Sequence, residues 1–391
     1  MQRRTFLQGA VCVTVIVAGG AVWRAYDRGV FSVGEGPAFA PWKDWQQARG
    51  GPLGLVRAAI LAASPHNTQP WLFKLTDHTI DVYIDPRRSP GALDPYRREA
   101  HIGIGCALEN MMLAAAANGY AATTTLLPGK LSEASANGEH ELLAHVDLAA
   151  GQAQKNELFD AIPRRHTNRN PYYLKPLPSE FLDEVTKLSD GSANTKIFLF
   201  DRDEDRERIV SMIIKANDIV YADPLVERGS QRWIRGKWSD VQKFRDGLII
   251  DEFGQPPLTT ALLKFTPPSW GRFVYRYFSG GSYADLLRAT PVFGVIAVHD
   301  RYDAAQCLDA GRLWQRAHLL ATARHIAGRP VNEAVELVDH ERLHNQQADM
   351  DAELTALIGG GDWQPTFMFR MGYPVRAVAP SPRRPASDVL L

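Results

Sequence analysis

Residues 101–118, HIGIGCALENMMLAAAAN, are apolar nearly all the way round a helix rather than along one stripe. A helix without a polar face has to be covered on several sides, so this one reads as a core helix stopped by Gly119. A second such run, DAGRLWQRAHLLATARHIAG, ends at Gly328. Laying Gly105 over Gly311 brings Leu113 onto Leu319, Ala115 onto Ala321 and Ala117 onto Ala323, a faint internal repeat. The flanking segments replay one order. WLFKL and TIDVYIDP read as strands in the first half, the latter with Ile80, Val82 and Ile84 alternating, and KIFLFD and PVFGVIAVHD in the second. With 391 residues there is room for two such halves. The expected class is α+β. Between the second-half strands, about residues 217–283, lies a polar insertion with Trp233, Trp238 and Trp270, either a lid or a peripheral pair of helices.

Several functions are excluded or disfavoured. Forty-four basic residues balance forty-four acidic ones, so net charge favours no polyanion and no nucleic acid is expected as a partner. Cys106 and Cys307, the cysteines beyond Cys12, have no CxxC or zinc-ribbon spacing and read as buried thiols. GxSxG, GxxxxGK[ST] and a strand-opening GxGxxG are absent, and the GxG of GIGCALEN reads as close helix packing. HERLH, His340 to His344, has the HExxH pattern of a zinc helix, but Asp339, Arg342 and Asn345 mark an exposed polar helix and no patterned third ligand follows. No metal is expected.

At the N-terminus, Arg3 and Arg4 stand just ahead of Phe6 and Leu7, and an apolar run from Ala10 to Val22 follows. This resembles a twin-arginine export signal on residues 1–40, bound for the periplasm or cell envelope. Its leader is either cut at the small-x-small site Ala38 to Ala40 or kept as a membrane tether.

Two stretches carry candidate chemistry. SPHNTQPW places Ser64, His66, Asn67 and Gln69 between prolines. Such neutral donors and acceptors suit the polar edge of a heteroaromatic ring, or else cap the next element. PRRHTNR sets Arg165 and Arg169 four apart, on one face if helical, with Thr167 near, a set suited to phosphate or carboxylate. Arg383 and Arg384 form another basic pair.

Together with the two Ala- and Leu-rich helices and the terminal FMFRMGYPVRAVAPSPRR, these motifs resemble the nitroreductase superfamily of flavin mononucleotide (FMN) proteins. The best likeness is to its Acg-like branch, in which two nitroreductase-like halves are fused into one chain. The resemblance implies a nitroreductase-like fold with halves at 41–150 and 151–391 forming an internal pseudo-dimer that needs no second chain. In the ordinary family one chain carries both an Arg-rich segment and SxxNxQPW. Here the first half keeps only SPHNTQPW and the second only RRHTNR, which implies one composite FMN site. Arg165, Thr167 and Arg169 would bind the phosphate, Arg383 or Arg384 would close over it, and Ser64, Asn67 and Gln69 would meet the ribityl chain and ring; His66 stands where the family often has a small residue. The implied function is an exported oxidoreductase with NAD(P)H as a candidate donor, reducing small acceptors such as nitroaromatics or quinones. The alternatives are a flavin-sequestering protein with its ring covered, and an exported structural protein without flavin. Because flavin does the chemistry, no catalytic acid or base is assigned.

Overall fold

The computed structural model describes residues 22–45, 50–133, 138–265 and 281–391. In the first half, strands β1 (Trp71–Leu75), β2 (Thr79–Ile84), β3 (Tyr120–Leu126) and β4 (Glu141–Ala150) form an antiparallel sheet in the order β1-β2-β4-β3. The alternation in β2 places Ile80, Val82 and Ile84 in the core. The second half builds a five-stranded sheet from β5 (Tyr172–Tyr173), β6 (Thr195–Phe200), β9 (Val292–Val298), β10 (Ala327–Pro330) and β11 (Gln364–Pro374). Its order is β10-β11-β9-β6, with β5 on β11, and β9 is buried at every residue because both faces are covered. In the insertion, β7 (Ile234–Arg235) and β8 (Leu248–Ile249) pair as a short parallel ribbon. The helices that matter for the site are α1 (Gly51–Ala59), α2 (Arg98–Ala117), α3 (Asp203–Val220), α4 (Pro224–Gln231), α5 (Ala304–Ala323) and α6 (Glu333–Leu343).

Helices α2 and α5 are the two apolar runs, and they cross at the glycines that the repeat aligned. A Cβ on Gly105 would lie 2.1 Å from the Leu308 carbonyl oxygen, and one on Gly311 would lie 1.9 Å from that of Ile102. Leu308 precedes Gly311 by as many residues as Ile102 precedes Gly105, so the contact is nearly self-complementary, as at a two-fold axis. The chain is thus an α+β protein of two related halves, a pseudo-dimer whose joint has no room for a side chain. Gly311→Val should wedge the helices apart, costing roughly 1 to 3 kcal/mol or more by overpacking. Denaturant unfolding checks this against Gly129→Ala, where the nearest atom would stand at an ordinary 3.5 Å and no change is expected.

Both chain ends make contacts beyond their own segments. Val375 and Arg376 still bond to Asn168, Asn170 and Pro171, but the end of the tail, assigned to the second half, returns to the first, where Leu391 N–H donates to the Phe73 carbonyl at 2.8 Å. The export-signal residues 1–21 lie outside the described residues. Residues 22–40, read as leader, pack on the insertion. Ala38 and Phe39 are buried, Phe39 stacks on Trp238 at 5.8 Å, and Lys264 donates to the Gly29 carbonyl at 3.0 Å. Farther on, Trp42 Nε1 donates to the Ser381 carbonyl at 2.7 Å. The small-x-small site is therefore buried, because apolar Ala38 and Phe39 fill a cluster with Val241 and Ile249.

Candidate functional site

SPHNTQPW folds as a tight turn carrying three left-handed residues, His66 (φ 47°), Asn67 (φ 53°) and Gln69 (φ 50°). Non-glycine residues there cost about 1 to 3 kcal/mol each and persist only when the surroundings over-determine them. The surroundings do so. Asn67 Nδ2 donates to the carbonyls of Gly247 (3.0 Å) and Pro382 (2.9 Å), while its Oδ1 accepts from Arg383 at 2.7 Å. Gln69 Nε2 donates to the Arg245 carbonyl at 2.9 Å and its Oε1 accepts from the Arg384 backbone N–H at 2.9 Å. The Ser64 hydroxyl accepts from Gln69 N–H at 3.0 Å. So clamped, the turn presents Ser64, Pro65 and His66 to a cavity, with His66 Nε2 2.7 Å from the Ser230 hydroxyl on α4. Burial, reinforced by Arg169, lowers the His66 pKa to about 4, so the ring is neutral there near pH 7.

The basic motif does not form the helical face expected of it. Its helical turn ends at Arg164, and Arg165 is already extended (φ −76°, ψ 110°), so Arg165 and Arg169 go separate ways. Arg165 is buried, donating to the Leu61 carbonyl at 3.1 Å, and burial lowers its pKa to about 10. Beyond it the chain runs beside β10, with Thr167 bridged to Gly328 and Asn168 N–H donating to the Gly328 carbonyl at 3.2 Å. That pairing brings Arg169 close to Arg329. Glu252 lies 3.7 Å from Arg169, yet burial, with Arg329 adding repulsion, still holds the Arg169 pKa below the usual guanidinium range. Burial opposes the charge of Arg329 too, but Tyr283 and Glu333 outweigh it and hold its pKa above the usual guanidinium range.

The cavity measures about 600 Å³, within the range of sites for cofactor-sized ligands. The first half contributes Ser64, His66, Glu99, Ile102, Gly103 and Cys106 to its wall. The second contributes Thr167, Arg169, Trp314, Arg329, Glu336 and Phe367. The insertion adds residues including Tyr221, Ser230, Leu248, Phe253 and Tyr283, and Arg28 reaches it from the N-terminal segment. Of the residues expected from sequence, Ser64, His66, Thr167 and Arg169 meet at this wall. Asn67, Gln69, Arg165, Arg383 and Arg384 stand behind it, hydrogen-bonded to protein, although Nε of Arg165 and of Arg383 is buried without a partner. Arg383 ties the two motifs together: it donates to Asn67, gives its Nη2 to the Ala62 carbonyl at 3.0 Å, next to the Leu61 carbonyl that Arg165 holds, and lies over the Trp42 ring at 4.8 Å.

Sequence reasoning missed Arg329, Glu99, Glu336, Trp314 and Ser230. None sits in a local pattern that marks chemistry, and only sheet and helix pairing brings them in. Burial raises the carboxyl pKa values of Glu99 and Glu336, so they favour keeping protons at the wall. A flat apolar body against Ile102, Trp314 and Phe367, with an anionic end toward Arg169 and Arg329, would match the lining.

No family model matches the chain. Over 343 residues, 86% of this chain and 90% of theirs, it is 25% identical to a Mycobacterium tuberculosis protein, known in two strains, whose provisional name is NAD(P)H nitroreductase. It is 34% identical over 125 residues, 31% of this chain, to the M. tuberculosis protein acg, of the same provisional name, covering 35% of it. Among solved structures, a nitroreductase with bound FMN from Desulfitobacterium hafniense aligns with TM-score 0.37 and 13% identity, over 60% of this chain and 97% of that one. The FMN-dependent nitroreductase NfnB of Mycobacterium smegmatis, in complex with NADPH, aligns with TM-score 0.34 and 14% identity, over 56% and 88%.

Proposed function

We propose that this chain, 25% identical over 86% of its length to a protein provisionally named NAD(P)H nitroreductase, belongs to the nitroreductase superfamily, binds one FMN in the cavity between its halves and acts as an oxidoreductase on small electron acceptors such as nitroaromatics or quinones. The observation that carries the reading is the convergence of Arg169 and Arg329 on a wall that also holds Ser64, His66 and Thr167. Bound there, FMN would supply the hydride and electron chemistry. The chain's own residues bind and orient. The two guanidinium groups and the Thr167 hydroxyl suit the phosphate, and the neutral His66, held by Ser230, offers a hydrogen-bonding ring without charge. Glu99 and Glu336 keep protons in reserve at the wall. Asn67, Gln69, Arg383 and Arg384 pre-form the turn, which lowers the ordering cost of binding.

Purified protein should be yellow with one FMN per chain, and anaerobic NADPH should bleach it. Colourless protein that takes up no added FMN rejects the cofactor. A second reading, flavin sequestration, is favoured by the insertion's large share of the wall. It is selected if dithionite bleaches the flavin and NAD(P)H does not. The joint between halves lies within one chain, so a monomer suffices, and sedimentation checks this.

Export by the twin-arginine machinery to the periplasm or cell envelope is part of the proposal, supported by Arg3 and Arg4 ahead of the apolar run. The packing of residues 22–40, with Arg28 at the cavity wall, favours a leader that is kept from residue 22 onward. Intact mass of the exported protein tests this, and a mature chain starting at Pro41 overturns it.

A further inference from the structure

Two premises spoke against a metal at HERLH, an exposed helix and a missing third ligand. Neither holds in the fold. Residues 334–341 of α6 are buried, and Asp223, the N-cap of α4, reaches the end of α6 from the start of the insertion. Its Oδ2 lies 3.5 Å from Nε2 of His340 and 3.6 Å from Nε2 of His344. The other carboxylate oxygen accepts from the Leu225 N–H at 2.7 Å, which fixes the group's orientation. The ligand atoms of all three side chains lie within 4.8 Å of one another.

These separations bear on two readings. A charged hydrogen bond between imidazole and carboxylate closes to about 2.7–2.9 Å. Donors sharing a tetrahedral ion at about 2.0–2.1 Å stand about 3.3 Å apart. One carboxylate oxygen about equally far from two imidazole nitrogens is nearer the second case. The four-residue spacing puts both rings on one face, with centroids 4.3 Å apart. Glu341, which would be the general base of a hydrolytic HExxH site, faces the backbone N–H of Met350 at 3.3 Å instead.

We propose that Asp223, His340 and His344 bind a divalent transition ion such as zinc, with water on the side of the more exposed His344, and that the ion pins the insertion to helix α6. Two imidazoles and one carboxylate suit zinc, cobalt or nickel better than magnesium or calcium. The placement gives the pin its consequence. Asp223 links α3 to α4, and α4 carries Ser230, the partner of His66. One turn before His340, Glu336 stands on the cavity wall. The ion would lie behind that wall and hold it in place, outside the flavin reading and independent of it.

The test uses full-length protein without a polyhistidine tag, stripped with a chelator and titrated with zinc chloride, read by elemental analysis and thermal unfolding. The expected result is one zinc per chain and a raised unfolding midpoint. His344→Ala should fold with the midpoint of the stripped wild type and lose both the zinc and the rise. Asp223→Asn, which keeps an oxygen for the Leu225 cap, should weaken zinc binding at least tenfold. Absence of uptake and of any midpoint change in the wild type overturns the site. So does zinc binding that is undiminished in both variants.

Discussion

Replacing Arg169 and Arg329 together by alanine is expected to lower FMN affinity by between about 100-fold and 10,000-fold, measured by titrating apoprotein and following flavin fluorescence. Each guanidinium would give the phosphate charge-assisted hydrogen bonds worth about 1.5 to 3 kcal/mol, and every 1.4 kcal/mol is about tenfold. The pair share one anion, so either single substitution should take less than the whole loss and the two should not add. Arg165→Ala is the informative contrast. That side chain donates to the Leu61 carbonyl behind the wall, so its loss should appear first as about 1 to 3 kcal/mol of lost stability. Full affinity in the double variant, with flavin lost in Arg165→Ala at unchanged stability, would move the phosphate to Arg165.

The second large effect concerns the joint between the halves. Arg98, in the first turn of α2, is fully buried. It donates through Nε to Asp339 of α6 at 2.9 Å and also to the Thr366 carbonyl, both in the other half. Tyr302 donates to the same carboxylate at 2.9 Å. Burial opposes the charge of Arg98, but Asp339, Glu99 and Asp94 outweigh it and hold its pKa above the usual guanidinium range. Arg98→Met would strand the Asp339 carboxylate in the interior and should cost about 3 to 5 kcal/mol in urea unfolding. Adding Asp339→Leu should recover much of that, because a buried ion pair exchanged for apolar groups is often near neutral. A double variant no better than the single would mean that the pair itself, and not the stranded charge, sustains the joint.

Some of this was legible in residue order. The all-round apolar pattern of residues 101–118 and its faint echo near Gly311 identified the two core helices and paired the two glycines that now touch, because burial and close packing are written directly in residue size and polarity. Alternation in β2 gave its buried face for the same reason. SPHNTQPW and RRHTNR stood out because they crowd hydrogen-bonding and basic side chains into a few residues.

What the sequence could not decide was direction. Arg165 and Arg169 are equal in composition, and only the end of a helical turn at Arg164 sends one inward and the other to the cavity. Arg329 becomes Arg169's neighbour through a strand pairing across a long stretch of chain, and Asp223 meets His340 and His344 only because α4 starts beside the end of α6. Local physics, meaning size, polarity and periodicity, is carried by neighbours in the chain and can be read along it. Convergence of charges is a property of distances in space, which depend on how every intervening element packs, and so tertiary structure alone settled the wall of the cavity and the place of Asp223 beside the two histidines.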